Sequence, residues 1–343
     1  MKLIEIINGS KFVSLSEKVF SAIVSPEDFE KFNQFGTLKI IQTYRNEKMD
    51  AIWFYNENLK VGDGDIVFCQ TEALELLFKK LSNANVKNLI LISHQSDRKI
   101  DKKLWNKKPK NIYKWFGTNV VFESNDLISI PIGICNDYTI NYNFKNFIGK
   151  NSTKEELLFV NFRINTNFKE RKFAFKYLSK VSKPKMNVPQ DNYFKSISKS
   201  KFVSAPWGNG YDTHRLWESL YLGSIPITRN NLSYQNFNDL PILFVNNWKN
   251  INKDYLLEKY QNLAFYPEKI EKIKFSYWRK LILDVKMNSK ENNLEYELDA
   301  DISKEIKKFK KKSKYNSNIK KITRLKYKYL TLENYINYLK KLN

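Results

Sequence analysis

The sequence predicts an α/β protein built as two Rossmann-like lobes with a cleft between them and a helical C-terminal tail. Three observations carry that expectation. Short β-branched runs alternate with helix-like stretches over the first 135 residues, and the same alternation restarts at residue 156. The polar stretch "NDYTINYNFKNFIGKNSTKEE" (136–156) separates the two patterns. The length, 343 residues, suits about two domains of ~150 residues each.

In the first half the strand candidates are "LKIIQTY" (38–44), "AIWFYN" (51–56), "DIVFCQT" (65–71), "NLILISH" (88–94), "NVVFES" (119–124) and "ISIPIG" (128–133). Apolar residues at helical spacing in "EALELLFKKLSNA" predict a helix between the third and fourth. "NIYKWFG" is expected to be a short helix ended by Gly117. Near-continuous apolar strands separated by helices argue a parallel sheet covered on both faces. The second half offers strands at "ELLFVNF" (156–162), "KFVSAP" (201–206), "GSIPIT" (223–228) and "PILFVNN" (241–247). Its helices are "FKERKFAFKYLSKV" (168–181) and "THRLWESLYLG". After residue 250 the chain reads as helices only. The expected units are therefore a first lobe over 1–140, a second over 150–260 and a basic helical region over 261–343.

Composition narrows the class. Apolar residues are 42% of the chain and aromatics 15%, enough for real cores and against global disorder. No run reaches the ~18 apolar residues of a membrane span. The N-terminus "MKLIEIINGSKFVSL" lacks a signal peptide's continuous apolar region, so a cytoplasmic protein is expected. Cys69 and Cys135 sit in apolar, strand-like stretches without a CxxC neighbour. They are expected to be reduced core residues, and a structural zinc site has no support. The net charge of +23 points to an anionic partner or to a compositional bias toward Lys, Asn, Ile, Phe and Tyr. It is uneven: residues 301–343 hold 14 Lys and Arg against 3 acids.

Ligands of open α/β sheets sit at the carboxyl ends of strands. Three loops qualify: "ISHQSD" (92–97), "VNFRINTN" (160–167) and "SAPWGNGYDTHR" (204–215). In the last, Gly208 and Gly210, flanking Asn209, would let backbone N–H groups approach an anion. Asp212 or Thr213 would cap the following helix, whose N-terminus suits phosphate. Arg215 adds a bidentate phosphate partner, and His214 and Glu218 share a helix face. A capped helix with a surface His–Glu pair is the plainer alternative. "NFRINTN" supplies Arg163 and Asn167, with Arg171 one turn into the helix; a polar loop before a solvated basic helix is the alternative there. In "ISHQSD", His94 or Asp97 would serve as a general base, or the loop would simply cap a helix. "GDGD" (62–65) reads as a turn rather than a metal motif.

These stretches carry a resemblance. "FVSAPWGNGYDTHRLWESLYLGSIPITRNN" followed by "DLPILFVNNWKNI" resembles the sugar-nucleotide lobe of exostosin-like glycosyltransferases of bacterial and viral type, which have the GT-B fold. "LISHQSD", "WFGTNV" and "IPIGICN" are similar to the N-terminal lobe of such proteins, and "LLFVNFRINTNFKERK" to the opening of the second lobe. The resemblance spans roughly residues 65–250. Residues 1–60 and 260–343 resemble nothing nameable.

What the resemblance implies is a hexosyl- or pentosyltransferase. Its donor is a nucleotide sugar, with a UDP-sugar as first guess, and no further cofactor or metal is required. Glu218 would accept hydrogen bonds from ribose hydroxyls. Arg215, Arg171 and the 208–210 backbone would hold the diphosphate, with Arg163, Asn167 and His214 beside them. His94 or Asp97 would deprotonate the acceptor, with inversion. The expected acceptor is a glycan or lipid-linked glycan, a bacterial surface precursor at the inner membrane face. Apart from the resemblance, the basic tail "SKEIKKFKKKSKY…IKKITRLKYKYL" interleaves Lys with Phe, Ile, Leu and Tyr, and would touch anionic lipid, follow a phosphate backbone or be a solvated helix. DNA is the alternative acceptor, as in viral DNA-modifying sugar transferases, and a non-catalytic sugar-nucleotide-binding module the non-enzymatic alternative.

Overall fold

The computed structural model describes residues 1–150, 152–287, 294–298, 300–313, 315, 319 and 322. Its strands are β1 (Lys18–Val24), β2 (Leu38–Asn46), β3 (Met49–Asn56), β4 (Lys60–Gly62), β5 (Ile66–Gln70), β6 (Leu89–His94), β7 (Ile112–Gly117), β8 (Leu127–Ser129), β9 (Glu156–Phe159), β10 (Ser200–Ser204), β11 (Ile225–Arg229), β12 (Leu243–Val245) and β13 (Glu295–Glu297).

The first lobe is a seven-stranded sheet in the order β2-β3-β1-β5-β6-β7-β8. From β1 to β8 its neighbours run parallel. The second lobe is a four-stranded, all-parallel sheet, β12-β11-β10-β9. Two Rossmann-like lobes are therefore present, as the repeated alternation predicts.

Four local expectations are corrected. First, β2 and β3 form an antiparallel hairpin at the sheet edge. Only Glu47 and Lys48 separate them, and the Asn46 side chain accepts the N–H groups of Lys48 and Met49 at 2.9 and 3.3 Å. So short a link cannot make a parallel crossover. Second, "NIYKWFG" is strand β7, not a helix. Its aromatic and β-branched residues fit a slot beside β6, where fully buried Trp115 donates to Ser93 Oγ at 2.8 Å. The following 119–124 is a loop with two isolated bridges, Val120 to Ile100 and Ser124 to Leu127 of β8, and Asn119 within it takes a φ of 56°. Third, β1 lies centrally in the first sheet, where no strand was expected. Its signal is the apolar run before the Ser25–Pro26 helix start, whose cap is Ser25. Fourth, the chain after residue 250 is not helix alone: β13 pairs with β4.

One apolar cluster crosses between the lobes. It joins Ile92, Phe116 and Ile130 of the first to Val203, Trp217 and Tyr221 of the second. Buried hydrogen bonds follow the same seam. Tyr221 Oη accepts the Ile7 N–H at 2.9 Å and donates to the Ile273 carbonyl at 2.8 Å. Ser129 Oγ donates to the Ser233 carbonyl at 2.7 Å, and Ser233 Oγ to the Val120 carbonyl at 3.0 Å.

Residues 303–313 are helical and dock on the first lobe. Ile306 is buried, the Phe309 ring meets Trp53 edge-on at 5.4 Å, and Lys310 Nζ donates to the Ile40 carbonyl at 2.9 Å. Most of the remaining basic tail lies outside the described residues. Among the described residues no helix is long and apolar enough to cross a membrane. "GDGD" is the expected turn: Asp65 accepts the Gly62 N–H at 2.7 Å and Asp63 the Lys87 N–H at 2.8 Å. Cys69 and Cys135 are free thiols.

Candidate functional site

A cleft of about 440 Å³ opens between the lobes. It lies beyond the carboxyl ends of four parallel strands, where the fold leaves loop backbone free to shape a site. Asp97 follows β6, Ile132 and Cys135 follow β8, Asn161 and Arg163 follow β9, and the 208–213 loop follows β10.

Arg171 lies beneath that last loop. It sits in the first turn of the helix Phe168–Leu178, which starts soon after β9. Asn167 caps this helix, and its amide donates to the Gly208 carbonyl at 3.0 Å, tying loop to helix. Arg171 Nε donates to the Trp207 carbonyl at 2.8 Å, Nη1 to Arg163 at 3.0 Å and Nη2 to Pro206 at 3.4 Å. All three acceptors are backbone carbonyls. Burial, reinforced by the neighbouring Arg215 charge, pulls the guanidinium down to about 9.

The helix His214–Tyr221 supplies the opposite side. Leu216, Trp217 and Leu220 are its buried apolar face, which fixes where His214, Arg215 and Glu218 line the cleft. Arg215 Nε donates to Tyr193 Oη at 3.1 Å. Tyr193 Oη in turn donates to Glu218 Oε2 at 2.8 Å, and Tyr142 Oη to Glu218 Oε1 at 2.6 Å. Burial, with the Glu218 charge adding to it, pushes both phenols well above their ordinary value.

The lobes meet along the cleft. Asn209 Nδ2 donates to Asp97 Oδ2 at 3.1 Å, and His214 Nδ1 to the Gly133 carbonyl at 2.8 Å. Asp212 accepts the Ile132 N–H at 2.7 Å and the Trp217 indole N–H at 2.8 and 3.0 Å. Full burial pushes its carboxyl up to about 7.

Residues 130–292 match the model of the RXYLT1 C-terminal domain. Over that segment the chain is similar to that domain. The matched segment holds every residue lining the cleft except Asp97. No curated protein matches the chain. Among solved structures, an α1,3-fucosyltransferase is similar at 14% identity, over 64% of this chain and 76% of its own, with a TM-score of 0.39. AviGT4, a glycosyltransferase involved in avilamycin A biosynthesis, is similar at 11%, over 62% and 77%, with a TM-score of 0.35. The T4 phage BGT in complex with its UDP-glucose substrate is similar at 11%, over 65% and 76%, with a TM-score of 0.28.

Of the residues singled out in the sequence, Asp97, Arg163, Arg171, Gly208, Asn209, Gly210, His214, Arg215 and Glu218 line the cleft. Asn167 stands behind it and acts through Gly208. His94 is not in the cleft. It is 1% exposed, Nδ1 accepts the Gln95 N–H at 2.6 Å and Nε2 donates to the Pro131 carbonyl at 3.1 Å. Burial drives the ring down to about 3. A neutral imidazole with both nitrogens engaged has no lone pair for an acceptor proton, which corrects the expectation that His94 is a base.

The glycines also act differently. The Gly208 N–H is given to the Gly210 carbonyl at 3.0 Å, so it is not held out to an anion. A Cβ at Gly210 would sit 2.8 Å from Asn119 Oδ1, so this glycine admits the other lobe rather than a ligand. Neither expected cap is made: Thr213 heads the helix without a capping bond, and Asp212 faces the first lobe. Thr213 lines the cleft, and its Oγ1 is buried without a hydrogen-bond partner among the described residues.

Tyr142, Tyr193, Asp212 and Thr213 were not singled out as ligand-facing. Tyr142 falls in the segment read as a linker. Tyr193 sits on the helix Gln190–Lys199, whose signal was Phe194 and Ile197 at helical spacing. Among the described residues no three His, Cys, Asp or Glu side chains are grouped to hold a metal ion.

Proposed function

We propose that this chain is an exostosin-like glycosyltransferase that takes a sugar from a nucleotide-sugar donor, UDP-linked as first choice, and passes it to a hydroxyl acceptor. One observation carries the proposal. Arg171 and Arg215 both line the cleft, and no side-chain hydrogen bond joins either directly to a carboxylate among the described residues, the Asp97 and Glu170 charges acting on Arg171 only through space. Two such cations at one cleft are an unfavourable arrangement until an anion of more than one charge arrives, and a diphosphate is such an anion.

Glu218 supports the rest of the donor. Its two oxygens each take one phenol, leaving each a further lone pair for a ribose hydroxyl. The leaving diphosphate is stabilised by Arg171 and Arg215, with Thr213 Oγ1 beside them, and these cationic groups do the work without requiring a metal. Of the two proton acceptors expected on the acceptor side, Asp97 is the one that reaches the cleft, and it takes the hydroxyl proton as the anomeric carbon is attacked with inversion. A glycan or lipid-linked glycan approaches from the first lobe, on a cytoplasmic protein whose basic tail touches anionic lipid.

Thermal shift against UDP, GDP and their sugars tests this, because a ligand of the folded state raises the melting temperature by mass action. Stabilisation by a nucleotide diphosphate that is lost in Arg215→Ala is expected. No shift with any nucleotide would overturn the proposal.

A further inference from the structure

Resting on that donor reading, we propose that Tyr193 is a positioning residue that makes Arg215 and Glu218 one donor-binding unit. The three side chains form a directed chain. A phenol has a single proton, and Tyr193 gives it to Glu218 Oε2 at 2.8 Å. The Arg215 Nε–H at 3.1 Å must then fall on the phenol's lone pair, so the relay runs Arg215 to Tyr193 to Glu218 and cannot reverse. The Arg215 guanidinium also lies 5.7 Å from the centre of the Tyr193 ring, which limits its swing.

Charge strengthens both links. The donor of the first is a guanidinium and the acceptor of the second is a carboxylate, and hydrogen bonds to ionised partners are about twice as strong as neutral ones. Each link also polarises the other in a half-buried setting. Tyr142 does not share this property. It donates to Glu218 Oε1 at 2.6 Å, so it orients the carboxylate, and among the described residues no hydrogen bond joins it to Arg215.

The arrangement has a consequence for ligand recognition. Arg215 meets the anionic part of a donor and Glu218 the hydroxylated part. Because one phenol sets both side chains, a ligand that engages one finds the other already placed. The diphosphate and ribose subsites are thereby coupled.

The experiment uses the full chain with UDP as the probe. Affinity is measured by calorimetry for the wild type, Tyr193→Phe, Glu218→Gln and the double variant, and donor KM and kcat are measured alongside. Tyr193→Phe keeps the ring and its packing, so the chain is expected to fold, with a melting temperature lowered by the two lost hydrogen bonds. UDP affinity is expected to fall about tenfold, the size of a lost charge-assisted hydrogen bond. Donor KM should rise by the same factor with kcat nearly unchanged. Glu218→Gln should cost less in the Tyr193→Phe background than in the wild type. Wild-type UDP affinity in Tyr193→Phe, or strictly additive losses in the double variant, would overturn the inference while leaving the donor site standing. A wild type that binds neither UDP nor GDP overturns both.

Discussion

The Asp212 carboxylate of the second lobe accepts the Ile132 N–H of the first at 2.7 Å, with both groups buried. Asn119 of the first lobe answers by accepting the Asp212 N–H at 3.0 Å. These bonds sit at the wall of the cleft, so what pins the lobes together also shapes the site. The lobes are joined by an apolar seam as well, so opening them would expose polar and apolar surface at once.

This pin makes stability depend on pH. Burial raises the Asp212 carboxyl from 3.8 to about 7, so the folded chain holds a proton that the unfolded chain releases near 4. The stability this group contributes is full below pH ~4 and is lost as pH rises through about 7, an effect on the order of 4 kcal/mol at most. Asp212→Asn cannot titrate, so this slope is expected to vanish in urea denaturation run from pH 4 to pH 8. A variant with the wild-type slope would remove Asp212 as its source.

Glu218→Ala is expected to weaken nucleotide binding by about 10- to 100-fold with folding retained. The substitution leaves the hydroxyls of Tyr142 and Tyr193 without the carboxylate they share, so a modest loss of stability accompanies it. Calorimetry with UDP and circular dichroism of the same sample check the two halves. Unchanged affinity would remove Glu218 from the donor site.

The two-lobed architecture was legible in the sequence because the apolar runs of a covered parallel sheet are long and repeat. Arg215 and Glu218 were legible for a similar reason: their spacing on a helix after a strand and turn survives without knowledge of contacts. Tyr193 was not, since its meaning lies in touching Arg215 and Glu218 at once, and 20 tyrosines of similar appearance are scattered through the chain. "NIYKWFG" was misjudged because whether Trp115 faces a helix groove or the slot beside β6 is a tertiary fact. His94 misled because a strand end can aim its side chain back into the core as readily as into a cleft.

Gly210→Ala is expected to destabilise the fold by about 1–3 kcal/mol, the usual cost of forcing atoms into filled space. The new Cβ would meet Asn119 Oδ1 at 2.8 Å and Nδ2 at 2.9 Å. Asn119 cannot yield freely, because it accepts the Asp212 N–H and donates to the Ser96 carbonyl at 3.2 Å. Gly208→Ala is milder, since its Cβ would lie 3.1 Å from the terminal Nη2 of Arg171. Melting temperatures in the order wild type, Gly208→Ala, Gly210→Ala are expected, and a reversed order would contradict the contact geometry.

His94 and Asp97 separate by what each loses. Asp97→Asn keeps the shape and the bond from Asn209 but removes a proton acceptor, so transfer should fall by about 100-fold or more with UDP affinity unchanged. His94→Gln should instead show its effect in stability. The folded imidazole sits at about 3 and the unfolded one near 6.5. Its contribution is therefore full above pH ~6.5 and is lost as pH falls toward about 3, the opposite sign to Asp212. The variant should lose that acid-side slope and be less stable at neutral pH, because the ring packs 5.3 Å from Phe12 and bridges Gln95 to Pro131. Transfer by the folded fraction of His94→Gln should stay near the wild-type rate. If folded His94→Gln is inactive and Asp97→Asn is not, the proton passes through the buried imidazole after all and the assignment of Asp97 fails.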